Sequence, residues 1–208
     1  MKHIDLDSWD RKEYFLMYLG RDFPYINIGA HLDITNLVSF CKKNSLSSYL
    51  TMVFAAHLTA ESIENFRYRI KDGAPIINER MTPSFTYIPK GSELFIEVTV
   101  AFDEDLATFH RLAREQIARQ GTDTGLAALR GRHDLIMYSA IPWIEYTHVV
   151  RTIAVLGVDS NPKISWGKYF KRGDRTLVPL SVQVHHGLMD GLHVGRYYQQ
   201  LQQFLDEF

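Results

Sequence analysis

The chain has one cysteine, Cys41, among its 208 residues, which excludes an intrachain disulfide and a cysteine-based zinc site. It fits a reducing compartment. Charge of one sign is also lacking: 23 Lys and Arg against 24 Asp and Glu leave a formal net charge of −1, with no global field to draw in nucleic acid. No run approaches the roughly 18 apolar residues that a membrane span needs, and MKHIDLDSWDRKEYF has no apolar h-region of a signal peptide. There is no low-complexity tract, block of like charge or internal repeat. These absences predict one domain over residues 1–208, in a protein expected to be soluble and cytoplasmic, with neither nucleic acid nor membrane as partner.

Aromatics are plentiful. Twelve Phe, eleven Tyr and three Trp supply large side chains for a core, a pocket or a subunit interface.

The elements alternate in type. Asp7, with Asp10 at the third position, predicts a cap for a helix over 9–19, stopped by Gly20. YINIGAHLDI (25–34) reads as a strand, 35–44 as a short helix, and 46–65 as a longer one with Ser45 as candidate cap and Leu50, Val53, Phe54, Leu58 and Ile63 apolar. FRYRIKDGAPIINER is a hairpin around Asp72-Gly73, SFTYIPKGSELFIEVTVAF two strands around Gly91, and 104–120 a helix. Several short strands are expected between 134 and 186. In TLVPLSVQV (176–184), Val178, Leu180, Val182 and Val184 share a face, and Pro179 predicts an edge or a bulge. Continued alternation would put His186 on that face and His185 on the other. After Asp190-Gly191 the spacing of Val194, Tyr197, Tyr198, Leu201, Phe204 and Leu205 is that of an amphipathic final helix. The fold class is α+β: a mixed, largely antiparallel sheet covered by helices.

VQVHHGLMDGLH (182–193) therefore joins a strand end to a helix start. Its residue types admit three readings. His186 could be a hydrogen-bonded core residue, with Asp190-Gly191 a plain cap and turn. It could be a general base, since imidazole titrates at about pH 6.5 and such a base contributes about 10² to 10⁴ in rate. His186, Asp190 and His193 could ligate a metal, but Gly187 and Asp190-Gly191 argue against the continuous helix that would make them converge, and no metal is expected.

The same stretch resembles the active-site signature of the chloramphenicol acetyltransferase family, and HHGLMDG fits the HHxxxDG pattern of coenzyme A-dependent acyltransferases. WDRKEYF (9–15), LDIT (32–35), FRYRIKDG (66–73), SAIPW (139–143) and GKYF with GD (167–174) recur in the family's order, so the resemblance covers essentially the whole chain. It implies a two-layer acyltransferase fold and acetyl-CoA as cosubstrate, with no tightly bound cofactor. The implied acceptor is a small hydroxyl compound such as chloramphenicol, with antibiotic resistance as the role. It also implies a homotrimer with active sites between subunits. Residue by residue, it implies His186 as general base, Ser139 as oxyanion donor, and Asp190 paired with Arg11 to hold the histidine loop. Trp143, Lys168 and Tyr169 would flank the coenzyme A channel, while Tyr18, Ser165 and Ile26 would fall in the acceptor pocket. His185 and His193 are expected to be structural, and Cys41 a small core residue.

The chain departs from the family's usual residues at Gly187, expected to loosen the backbone beside the histidine, and at Leu192, in place of an aromatic. It also differs at Glu145 and in YINIGAH. The differences gather around the acceptor. Two alternatives stand beside the leading reading: a related acyltransferase with another acceptor, or a ligand-binding trimer without catalysis.

Overall fold

The computed structural model describes residues 1–154 and 159–208. The elements, in chain order, are β1 (Lys2–His3), α1 (Lys12–Leu19), β2 (Tyr25–Asp33), α2 (Thr35–Asn44), α3 (Ser48–Ser62), β3 (Tyr68–Lys71), β4 (Ala74–Ile77), β5 (Thr82–Tyr87) and β6 (Ile96–Thr99). They continue with α4 (Leu106–Gln120), β7 (Leu135–Ile141), β8 (Lys163–Gly167), β9 (Phe170–Arg172), β10 (Arg175–His185) and α5 (Gly191–Asp206). The strands expected over 134–186 are thus β7 to β10; the part of that expectation on 155–158 lies outside the described residues.

The large sheet runs β2-β10-β8-β7-β5-β6, with β9 beside the start of β10. β7 is parallel to β5 and β8, and the other pairs are antiparallel, which is the α+β class read from the sequence. Parallel neighbours need a crossover, and α4 lies in the one between β6 and β7. A small second sheet runs β1-β4-β3. Asp72 (φ 51°) and Gly73 (φ 77°) form its tight turn, the conformation for which Asp-Gly is favoured.

Val178, Leu180, Val182 and Val184 all enter the main core, with Ile164, Trp166 and Tyr138 from neighbouring strands and Phe54, Phe109, Val194 and Leu201 from the helices. The alternate residues Ser181, Gln183 and His185 are buried as well. Residues 146–151 lie across that second face: the Gln183 amide accepts from the Arg151 N–H (2.8 Å) and donates to the Arg151 carbonyl (3.1 Å). β10 thus alternates in polarity but not in burial.

Four expectations need correction. The first helix begins at Lys12, because the Asp7 carboxylate takes the Lys12 ammonium at 2.6 Å and does not cap. Ser45 ends α2 in a left-handed conformation (φ 55°), while Ser47 caps α3 by accepting from the Leu50 N–H. Helix α3 has no single apolar stripe: it is buried nearly all round, with His57 bonded to the Tyr138 hydroxyl and Thr51 to His110. Pro179 sits on a central strand; it faces the connection between β8 and β9, where pairing is interrupted, so the missing N–H is tolerated. Cys41 is buried against Thr51, as expected of a small core residue.

Candidate active site

β10 ends at His185, and the chain then folds back on itself. The His186 N–H donates to the Pro24 carbonyl (2.7 Å), and the Leu188 N–H to the His185 carbonyl (3.0 Å). Val178, Leu180, Val182 and Val184, which alternation puts on the face of His186, are closed from solvent, but the His186 side chain is not. Leu188 packs into a second apolar cluster with Phe15, Tyr68 and Ile70, while Met189 packs into the main core. Two separate cores thus pin the turn that presents His186.

The His186 side chain is 26% exposed. Its ring stacks on Tyr18 of α1, and Nδ1 lies 3.2 Å from the Met189 carbonyl and 3.3 Å from Asp190 Oδ1. A carbonyl only accepts, so Nδ1 carries the proton and the neutral ring has its lone pair on Nε2.

Arg11, just before α1, meets this turn from a distance of 179 positions. Nη1 and Nη2 donate to the Asp190 carboxylate (2.6 and 3.0 Å), while Nη2 and Nε reach the carbonyls of His186 (3.2 Å) and Gly187 (3.3 Å). The Arg11 hydrogen bonds hold the Asp190 carboxyl below the ordinary carboxylate range, against the opposing effect of burial. His193 Nδ1 accepts from the Asp190 N–H (2.9 Å), and His185 Nδ1 from the Gly187 N–H (3.1 Å), so both histidines bond to backbone as expected. Gly187 is consequently fixed at both its N–H and its carbonyl, contrary to the expected loosening. Leu192 is 60% exposed.

Ser139 belongs to a different group. It pairs in register with Ser165, and Ser165 with Ser181, so the three lie in one row across β7, β8 and β10. The Ser139 hydroxyl is 3.1 Å from that of Thr86 and opens on a cavity of about 650 Å³ lined also by Tyr49, Phe95, Pro142, Trp143 and Arg151. Ser165 Oγ is buried and has no hydrogen-bond partner among the described residues. Trp143, 65% exposed, is therefore a rim residue. Lys168 and Tyr169 line an adjoining cavity of about 400 Å³ that shares Tyr49 and Pro142. Ile26 pairs with Val184 in register and packs on the main core, away from both cavities.

The two groups do not meet within one chain. With strands about 4.8 Å apart and residues about 3.4 Å apart along them, the Ser139 and His185 backbones are on the order of 17 Å from each other. Thr86, Tyr49 and Arg151 went unnoticed in the sequence. Alternation places Ser84 and Thr86 on one face of β5, but the neighbour of that face is set by register.

A sequence profile described as Chloramphenicol acetyltransferase matches residues 1–202. A chloramphenicol acetyltransferase of Proteus mirabilis is 30% identical, over 98% of this chain and 94% of its own length. Chloramphenicol acetyltransferase 3 of Escherichia coli is 29% identical, over 96% and 94%. Among solved structures, a chloramphenicol acetyltransferase superposes with a TM-score of 0.89 at 26% identity, covering 99% of this chain and 100% of that one. The cubic core of the pyruvate dehydrogenase multienzyme complex, at 17% identity and a TM-score of 0.67 over 93% and 87%, shares the fold. The chain belongs to the chloramphenicol acetyltransferase family.

Proposed function

We propose that the protein transfers the acetyl group of acetyl-CoA to a hydroxyl of chloramphenicol or a similar small amphipathic acceptor, acting as one unit over residues 1–208. The observation that carries this reading is the contact of His186 Nδ1 with the Met189 carbonyl, which leaves Nε2 free to accept a proton.

Nε2 takes the acceptor's hydroxyl proton as its oxygen attacks the thioester carbon. The carbonyl electron pair moves onto oxygen, and the Ser139 hydroxyl donates to that oxyanion; a donor of this kind contributes about 10² to 10³ in rate. Collapse re-forms the carbonyl and breaks the carbon–sulfur bond. The departing thiolate takes the proton back from Nε2, leaving an acetyl ester and coenzyme A. Arg11 and Asp190 hold the turn, and Tyr18 covers the imidazole beside the acceptor. The unpartnered Ser165 hydroxyl suits a water or an acceptor group. Trp143, Lys168 and Tyr169 flank the coenzyme arm, and Ile26 supports the acceptor side through the core.

His186 and Ser139 come from different subunits of a homotrimer, a reading that their separation within a chain supports. Light scattering is then expected to give three times 24.1 kDa; a monomer of 24.1 kDa would overturn the shared site. A cytoplasmic location accords with the single buried cysteine and with the absence, among the described residues, of any helix long and apolar enough to cross a membrane.

The test is thiol release from acetyl-CoA with and without chloramphenicol, for the native protein and His186→Ala. Antibiotic-dependent release that falls by about 10² to 10⁴ in the variant supports the base and the acceptor together. A silent native protein refutes chloramphenicol as acceptor.

A further inference from the structure

The cavity over Ser139 carries a charge in a mostly apolar wall. Ile88, Phe95, Ile141 and Pro142 line it, and so does Arg151. The Arg151 backbone is clamped at both its N–H and its carbonyl by the Gln183 amide, itself buried on central β10. Its guanidinium Nη1 is buried with no hydrogen-bond partner among the described residues. Glu97 is the carboxylate that acts on it most strongly, yet the Glu97 side chain accepts instead from the Ser84 hydroxyl (2.9 Å), and burial raises its carboxyl above the ordinary range. Glu97 is therefore engaged elsewhere and is not a hydrogen-bond partner of Arg151.

A guanidinium stays protonated at any working pH, and a buried N–H left without an acceptor is costly. Nη1 is closed to water as well, so a molecule held against the guanidinium from the cavity suits it only by bringing an acceptor of its own. The planar fork of arginine fits a carboxylate best, because both hydrogen bonds are then charge-assisted.

We infer that the acceptor the site prefers is an anionic hydroxyl compound, whose carboxylate pairs with Arg151 while its hydroxyl is held for His186 Nε2, beside the thioester oxygen that Ser139 serves. This rests on the acyl-transfer reading of the Ser139 cavity and narrows its acceptor class.

The test compares 3- and 4-(hydroxymethyl)benzoate with their methyl esters. Each ester keeps the ring, the hydroxyl and a carbonyl, and lacks the charge. Thiol release from acetyl-CoA gives kcat/KM for the native protein and for Arg151→Leu. The native protein is expected to favour at least one acid over its ester by about tenfold or more, and the variant to lose that preference at an unchanged KM for acetyl-CoA. A native preference for the esters, or an acid preference unaltered in Arg151→Leu, would overturn the inference. So would a raised KM for acetyl-CoA, which would assign Arg151 to the coenzyme, or a changed oligomeric state by light scattering, which would assign it to an interface. Calorimetric titration of His186→Ala, with and without Arg151→Leu, separates this inference from the reading beneath it. Arg151-dependent binding of an acid without turnover in the native protein refutes the transferase and keeps the anion site. Neither turnover nor binding of either acid refutes the anion site itself.

Discussion

The Tyr18 ring lies nearly parallel to the His186 imidazole, with centroids 4.2 Å apart and an interplanar angle of 20°. This contact restricts rotation of the imidazole without engaging either ring nitrogen. Aromatic pairs contribute about 0.5–1.5 kcal/mol beyond their burial, so Tyr18→Ala should lower kcat by about 2- to 10-fold while Tyr18→Phe stays near native. Steady-state kinetics on both variants checks this. An equal loss in the two would assign the effect to the hydroxyl and not to the ring.

Arg11 links the turn to α1 through four hydrogen bonds. Removing it leaves the Asp190 carboxylate and two carbonyls without it, and Arg11→Ala should destabilise the fold by about 2 kcal/mol, read from urea melts. The pH dependence has a definite sign. The Asp190 carboxyl is held below its ordinary value, so its contribution is full above about pH 4 and is lost as pH falls through the lower folded value. The gap in urea midpoint between native protein and Asp190→Asn should be steady from about pH 7 to 5 and close below about pH 4. A gap that widens in acid would contradict the pairing.

His185 responds to acid in another window. Burial, with neighbouring His186 adding to it, pushes its imidazole down to about 4. The unfolded chain binds this proton at about pH 6.5, so stability is full above that and declines toward pH 4, by on the order of 3 kcal/mol. His185→Asn keeps an acceptor for the Gly187 N–H and does not titrate. Its stability should therefore fall less steeply between about pH 6.5 and 4. An unchanged slope would show that His185 is not the group responsible.

Gly187 is a site of close approach. A Cβ there would lie 3.1 Å from the His185 ring and 3.5 Å from the Phe15 Cα. Gly187→Ala should cost about 1 kcal/mol in thermal or urea unfolding, because the ring that accepts its N–H has to shift. A variant more stable than native would contradict this account of the turn.

Much of the frame was legible because its signals are local. The valines of β10 and the apolar spacing of α5 both face the core they predict, and Asp72-Gly73 turns as its residue types require. Errors arose where one residue had two possible partners. Asp7 could cap a helix or take Lys12, and Ser45 could begin α3 or end α2. Alternation also could not reveal that residues 146–151 cover the second face of β10. At the site, the Arg11–Asp190 pair spans 179 positions, and only the family resemblance pointed to it. The Ser139–Thr86 contact and the place of Arg151 depend on strand register, which residue types do not encode on their own.

The central claim is that His186 of one chain works with Ser139 of another. Its direct test is a mixture of His186→Ala and Ser139→Ala chains, unfolded and refolded together, assayed for thiol release against each variant refolded alone. Each alone should be strongly impaired, while the mixture should regain activity at about one quarter of its sites, those that join an intact His186 to an intact Ser139 across an interface. Activity no greater than the average of the two variants would contradict a site shared between chains.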